Sequence, residues 1–104
     1  MTPGFGLVVR FTLRDADTGE AFDALVSRTL EGIRQHEKGT VVYVNHRVLG
    51  EPLVRIFYEL YEDRAAFEAH EQQPHTRHFL EAREQFVAET EVTFLERLDG
   101  KPSA

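Results

Sequence analysis

The chain has 104 residues, which predicts a single domain spanning residues 1–104 with its core over about 5–98, and its formal charge of −6 argues against nucleic acid as a partner. It contains no cysteine, so disulfides and thiolate metal sites are excluded. No apolar run is long enough to cross a bilayer and the N-terminus lacks a signal-peptide pattern, so we expect a cytoplasmic protein without membrane contact.

The first part of the chain predicts a strand followed by an amphipathic helix. The strand is expected from Phe5 to Leu13, because every odd position in it is apolar. Asp17 or Thr18 is expected to cap the helix, and Gly39 to end it in a left-handed conformation. The helix face that packs on the sheet is predicted by apolar spacings of three and four residues, at Phe22, Leu25, Val26, Thr29, Leu30 and Ile33.

A β-hairpin is predicted next. Its strands are expected at Thr40–Leu49 and Leu53–Tyr61, joined by a turn at Gly50–Pro52, and so short a connection makes the pair antiparallel. Both strands are apolar on both faces. A sheet covered by helices on one side should instead have a polar second face that is exposed to water. No segment remains to cover that face, so we expect a homodimer that pairs through the sheet.

Two helices and a last strand complete the predicted order. Asp63 is expected to cap a helix that runs to about Gln72, and Pro74 to start a second one, since proline suits the first helical turn. The last strand is expected over about 89–98, with a frayed tail over 99–104. The buried stripe of the second of these helices is expected at Phe79, Ala82, Phe86 and Val87.

Two motifs resemble the antibiotic biosynthesis monooxygenase family of dimeric α+β barrels. One is Glu37-x-Gly39-Thr40-x-x-Tyr43; the other is Glu59-Leu60-Tyr61-Glu62-Asp63-Arg64-Ala65-Ala66-Phe67-Glu68-Ala69-His70, followed by Pro74-His75 and Phe79. The resemblance implies an α+β, ferredoxin-like sandwich with a four-stranded antiparallel sheet in the order β-α-β-β-α-α-β. It also implies a dimer, and in each subunit a cleft between the helices and the sheet.

The resemblance further implies a cofactor-independent monooxygenase that oxidises a phenolic, quinol or anthrone-type aromatic with dioxygen. Such an enzyme needs a base near neutral pH, which suits His70, and a donor for the developing oxyanion, which suits Tyr61. Glu59 is expected to orient these groups, since it shares a strand face with Tyr61. No cofactor is expected.

Substrate-binding positions are expected at Tyr43, Asn45, His75 and Phe79, in an apolar pocket for a flat small molecule. The competing interpretation gives Glu59, Tyr61 and His70 a structural role, in which hydrogen bonds tie the helix to the sheet. The pattern favours Tyr43 as a packed strand residue over a ligand contact. The competing interpretation of the whole protein is a non-catalytic dimer that binds a small hydrophobic ligand.

A metal site and haem are two further alternatives. His75 and His78 could share a helix face, but Pro74 separates them from His70 and no regular zinc spacing appears, so no metal site is expected. The family's haem degraders use a strand-one asparagine and a strand-three tryptophan together with a helical histidine. This chain has no tryptophan and no asparagine in its first strand, which argues against haem degradation.

Overall fold

The computed structural model describes residues 4–101, and these form one antiparallel sheet with helices packed on one face. The strands are β1 Phe5–Leu13, β2 Thr40–Val48, β3 Glu51–Tyr61 and β4 Val87–Glu96. The helices are α1 Gly19–His36, α2 Arg64–Gln72 and α3 Pro74–Ala82. The sheet order is β2-β3-β1-β4, which confirms the predicted α+β fold and the order of its elements.

The register of the sheet decides which side chains face the helices. On β1 the odd positions turn towards the helices and are buried from Leu7 onwards, as the period of two predicts. Leu7 pairs with Glu59 on β3 and with Phe94 on β4, so these two residues share its face. A carboxylate and an exposed aromatic side chain therefore flank the apolar row at the centre of the sheet.

The core beneath the helices is built from aromatic rings. Phe11 from β1 packs edge-on against Phe57 from β3, with ring centroids 4.9 Å apart, and against Phe22 from α1 at 5.5 Å. Phe79 from α3 approaches the Phe11 ring at 6.1 Å. Edge-to-face pairs of this kind add to the stabilisation from burial alone, and they fix α1 and α3 on the sheet.

Gly39 does not adopt the predicted left-handed conformation. Gly50, at the tip of the hairpin, is the glycine with positive φ among residues 4–101, at 83°. α1 instead ends at His36 with Glu37 as its C-cap, whose backbone N–H donates to the Ile33 carbonyl. Glycine fits position 39 for another reason, because a Cβ atom there would lie 2.6 Å from the Cβ of Ala66 on α2.

Two other local predictions were only partly right. Thr18 is the N-cap residue of α1, as one of the two predicted candidates, but its side chain makes no capping hydrogen bond; Asp15 caps the short 3₁₀ turn that precedes the helix, accepting from the Thr18 N–H at 3.1 Å. Phe86 and Val87 do not belong to α3, which ends at Ala82 and passes through a 3₁₀ turn into β4. Apolar spacing alone cannot separate a final helical turn from a 3₁₀ turn and a strand start.

The hairpin and the C-terminal region differ slightly from the predicted bounds. β3 begins two residues earlier than expected, so the turn is only Leu49 and Gly50, and β4 runs over 87–96 rather than 89–98. Residues 97–101 lie outside helices and strands, and 102–104 of the predicted frayed tail fall outside the described residues. Within residues 4–101, no helix combines the length and apolar character needed to cross a lipid bilayer.

Candidate active site

A cavity of about 170 Å³ lies between the sheet and helices α2 and α3. Most of its wall is apolar, and five phenylalanines contribute to it: Phe11, Phe57, Phe67, Phe79 and Phe94. Its polar wall consists of Thr29, Tyr43, Glu59, His70, Glu71, Thr76 and Arg83. An apolar, aromatic pocket with a few converging polar groups is the usual form of a small-molecule site.

His70 reaches this cavity because of where α2 begins. The Asp63 side chain accepts from the Ala66 N–H at 2.8 Å, which fixes the start of the helix at Arg64. His70 follows two helical turns later, in the last turn before Pro74 ends α2. The imidazole is buried, with 5% of the residue exposed, and its ring lies against Tyr43 and Tyr61 at centroid distances of 5.6 and 5.2 Å.

The Glu37 carboxylate holds the inner nitrogen of His70. Its Oε1 atom lies 2.7 Å from His70 Nδ1. An ionised carboxylate only accepts hydrogen bonds, so Nδ1 carries the proton and the lone pair of a neutral ring is left on Nε2. The nearest carboxylate oxygen to Nε2, on Glu59, is 4.0 Å away, beyond hydrogen-bond distance. The basic nitrogen therefore remains open on the cavity side.

Glu37 is buried at a position that disfavours a negative charge. It follows the C-terminus of α1, where the helix dipole opposes an anion. Burial alone would raise the pKa of its carboxyl, but hydrogen bonds from His70, Thr40 and His75 outweigh burial and lower it. Thr40 Oγ1 donates to Oε1 at 2.7 Å, and His75 Nε2 donates to Oε2. One ionised carboxylate thus serves two imidazoles.

Glu59 and Tyr61 form a second buried polar pair. The Tyr61 hydroxyl donates to Glu59 Oε1 at 2.6 Å. Burial raises the pKa of the Glu59 carboxyl, and the hydrogen bond from Tyr61 offsets only part of that rise. Burial, together with the neighbouring Glu59 charge, also raises the pKa of Tyr61. Glu59 lines the cavity, whereas Tyr61 is fully buried beneath Phe67 and does not.

Tyr43 on β2 lines the cavity opposite His70. Burial and the charges of Glu59 and Glu37 raise the pKa of its phenol, so the hydroxyl stays protonated and can donate. Within residues 4–101 that hydroxyl makes no hydrogen bond, unlike the hydroxyl of Tyr61. Tyr43 is therefore better placed than Tyr61 to donate to a ligand oxygen.

The structure brings together most, but not all, of the residues expected at the site. His70, Glu59, Tyr43 and Phe79 line the cavity. Tyr61 does not, because its hydroxyl is closed off by Glu59. The other two expected contacts, Asn45 and His75, also lie outside the lining: Asn45 sits on β2 opposite Phe57, and His75 faces away towards Glu37 and α1.

Three polar residues of the site were not assigned roles from the sequence. Glu37 appeared there only as a motif residue, and its spacing from His70 gives no sign that the two meet. Thr76 Oγ1 lies 3.4 Å from His70 Nδ1. Arg83 lines the cavity and places its guanidinium carbon 5.6 Å from the centre of the Phe11 ring. Because the predicted helix extended to Phe86 and Val87, Arg83 lay inside it, and no sequence signal marked it as a cavity residue.

The histidines do not form a metal centre in the part of the chain that the structure describes. Residues 4–101 contain no group of three or more His, Asp or Glu side chains arranged to hold a metal ion. His70 and His75 both turn a nitrogen towards one carboxylate, and His36 stacks on the His75 ring with centroids 6.4 Å apart.

Solved structures share this fold. A proposed antibiotic biosynthesis monooxygenase from Nitrosomonas europaea is 20% identical, with 100% of this chain and 97% of that one covered and a TM-score of 0.86. Rv0793 from Mycobacterium tuberculosis is 23% identical, with coverages of 94% and 98% and a TM-score of 0.84. PA3566 from Pseudomonas aeruginosa is 23% identical, with coverages of 94% and 96% and a TM-score of 0.82.

The sequence itself gives the family. No curated protein matches this chain. The family model described as antibiotic biosynthesis monooxygenase matches residues 4–82. This range contains β1 to β3 and all three helices, and with them Glu37, Tyr43, Glu59 and His70. The chain belongs to the antibiotic biosynthesis monooxygenase family.

Proposed function

We propose that this protein is a cofactor-independent monooxygenase that oxidises a phenolic, quinol or anthrone-type aromatic with dioxygen. The observation that carries the proposal is the orientation of His70: Glu37 holds Nδ1 at 2.7 Å, and Nε2 is left as a base on the wall of an aromatic cavity. Family membership and the apolar lining support the same conclusion.

In the proposed reaction, His70 Nε2 removes a proton from the acidic carbon or hydroxyl of the bound aromatic. Glu37 stabilises the resulting imidazolium, as a carboxylate behind a histidine base does in other enzymes. Tyr43 donates a hydrogen bond to the substrate oxygen on which negative charge builds up. Glu59 lies on the same wall, where the hydrogen bond that it accepts from Tyr61 orients its carboxyl group.

The electron-rich substrate anion then reduces dioxygen directly. A carbon–oxygen bond forms to give a peroxide, whose oxygen–oxygen bond breaks as the carbon loses its second proton. For a methylene carbon the products are a ketone and water, so carbon loses four electrons and dioxygen gains four. The proton held on Nε2 ends in that water, which returns His70 to its neutral form.

Isotope labelling tests this reaction. Metal-free protein is supplied with ¹⁸O₂ and a panel of anthrones, naphthols and hydroquinones, and the products are analysed by mass spectrometry. We expect one labelled oxygen in the organic product and one in water. Dioxygen consumption that yields hydrogen peroxide without labelled product would contradict monooxygenation.

The homodimer is part of the proposal. The sheet face opposite the helices carries Val8, Val44, Ile56 and Tyr58, all half-buried or exposed in the single chain. Pairing two such faces would bury them, as an isologous interface requires. We expect a dimer by analytical ultracentrifugation, and a monomer after Val44→Glu. Leu98→Glu, outside the strands, is the control; a monomeric unmodified protein would contradict the proposal.

The second candidate is a non-catalytic dimer that binds a small hydrophobic ligand. It is favoured by the hydrogen bond between Tyr61 and Glu59, because each of these polar groups already has a partner and neither needs a substrate to provide one. Aromatic binding without any oxygen consumption across the panel would favour this candidate. For either candidate we propose a single domain in the cytoplasm.

A further inference from the structure

Arg83 brings a positive charge to the cavity wall without a matching negative one. Among residues 4–101, no carboxylate oxygen lies within 4 Å of its guanidinium, whereas the buried Arg55 is held by Asp23 at 2.8 Å. The positive charge of Arg83 is felt across the cavity, because it lowers the pKa of the Tyr43 phenol on the facing wall and so opposes the rise caused by burial. A guanidinium that faces a cavity unpaired is equipped to take an anionic oxygen.

The other charges around the cavity do not cancel this one. Burial raises the pKa of the Glu59 carboxyl, and its Oε1 atom already accepts from the Tyr61 hydroxyl at 2.6 Å. Glu37 lies behind His70, is engaged by three donors and does not line the cavity. Glu71 does line it but is exposed, so water screens its charge. The cavity thus combines apolar walls, an imidazole and one fixed cation, in a chain whose formal charge is −6.

A purely structural role for Arg83 does not explain why this side chain is charged. The guanidinium packs over the Phe11 ring, and any long side chain could supply the same apolar cover. A single cation–π contact of this half-buried side chain is a modest interaction, so it does not by itself account for an arginine at this place. Arg83 also borders a neighbouring polar depression, which Arg14, Glu84 and Glu89 line with it.

We propose that Arg83 makes the cavity selective for aromatic ligands that carry a carboxylate, which would pair with the guanidinium while the ring lies among the phenylalanines. This deepens the proposed function by naming a substrate class, that of aromatic acids. The inference rests on the proposed function only where it calls the ligand a substrate. The selectivity itself is a property of binding and does not depend on oxidation.

Binding of a matched ligand pair without dioxygen tests the proposal. The probes are 3-hydroxy-2-naphthoate and its uncharged methyl ester, titrated under nitrogen and followed by naphthol fluorescence. We expect the wild-type protein to bind the acid about tenfold or more tightly than the ester, the range of a charge-assisted hydrogen bond. Arg83→Gln should lose this preference and bind the two probes within about twofold of each other.

Control variants separate the local charge from other effects. Arg77→Gln removes an equal charge from the exposed face of α3 and should keep the preference for the acid. Arg83→Met preserves the apolar cover on Phe11 and should lose the preference as Arg83→Gln does, which keeps the test valid if the glutamine variant does not fold.

Three results would overturn the proposal. They are a preference for the acid that persists without Arg83, an equal loss of preference in Arg77→Gln, and no binding of either probe to the wild-type protein. Failure of monooxygenation is a separate result: a protein that selects the acid but consumes no dioxygen would retain this inference and lose the proposed function.

Discussion

His70 Nδ1 and Glu37 Oε1 lie 2.7 Å apart, although 33 residues separate them in the chain. The contact joins the C-terminus of α1 to the last turn of α2, and it sets the protonation of the imidazole that faces the cavity. Burying a carboxylate costs free energy unless hydrogen bonds compensate for the lost water. Three donors provide this compensation at Glu37, so losing any of them should lower stability and disturb the geometry of the site.

Glu37→Gln should destabilise the protein in a pH-dependent way. The folded pKa of Glu37 lies below its ordinary value of 4.5, so its stabilisation is present above that pH and is lost as pH falls through the folded value. We expect the free energy of unfolding to drop by about 2–3 kcal/mol at pH 7 and the difference to shrink by pH 3. Urea unfolding at both pH values measures this, with the exposed Glu31→Gln as control. An equal loss at both pH values would contradict the assignment.

Glu59→Gln should have the opposite effect on the free energy of unfolding at pH 7. The folded pKa of Glu59 is raised above 4.5, so stability is lost as pH rises from 4.5 towards the folded value, and the cost is absent at lower pH. The glutamine carbonyl can still accept from Tyr61. We expect the variant to be more stable than wild type at pH 7, on the order of 1 kcal/mol, and equal near pH 3.5. Destabilisation at pH 7 in the same urea assay would show that Glu59 is held as a needed anion.

Gly32 and His75 should be energetically coupled. A Cβ atom at position 32 would lie 2.5 Å from the His75 ring, which packs there in order to reach Glu37. We expect Gly32→Ala to destabilise the wild-type protein but to stabilise His75→Ala by about 0.5–1 kcal/mol, the ordinary gain of alanine over glycine in a helix. A double-mutant cycle by thermal unfolding measures the coupling, and additive effects would contradict the packing.

The two tyrosines should separate by function. The Tyr43 hydroxyl faces the cavity, whereas the Tyr61 hydroxyl is buried against Glu59. If the proposed reaction holds, Tyr43→Phe should lower the rate of oxygen uptake by about ten- to a hundredfold with little change in stability. Tyr61→Phe should mainly lower stability, since it leaves a buried acceptor with one fewer donor. The reverse pattern would restore Tyr61 as the oxyanion donor.

The sequence predicted the elements well because each follows from local periodicity or capping. A period of two put Glu59 and Tyr61 on one strand face, and Asp63 fixed the start of α2 and hence the place of His70. Which of the two tyrosines touches the cavity depends on Phe67 covering Tyr61, a contact between a helix and a strand that no local pattern encodes.

The partners of His70 escaped prediction for a similar reason. Glu37 lies beyond the end of one helix and meets His70 only when α1 and α2 pack side by side. Gly39 was given the common reason for a glycine after a helix, a left-handed backbone, when close approach of Ala66 is what requires it. Both misses concern packing between elements, not the elements themselves.

Whether His70 is the catalytic base is tested by oxygen uptake in His70→Ala beside His78→Ala, an exposed histidine on α3 that serves as the matched control. The substrate is whichever aromatic the wild-type protein oxidises fastest. If His70 is the base, its loss should lower the rate by about a hundredfold or more, and His78→Ala should match wild type. Uptake that is unchanged in His70→Ala would contradict a role for His70 as the base.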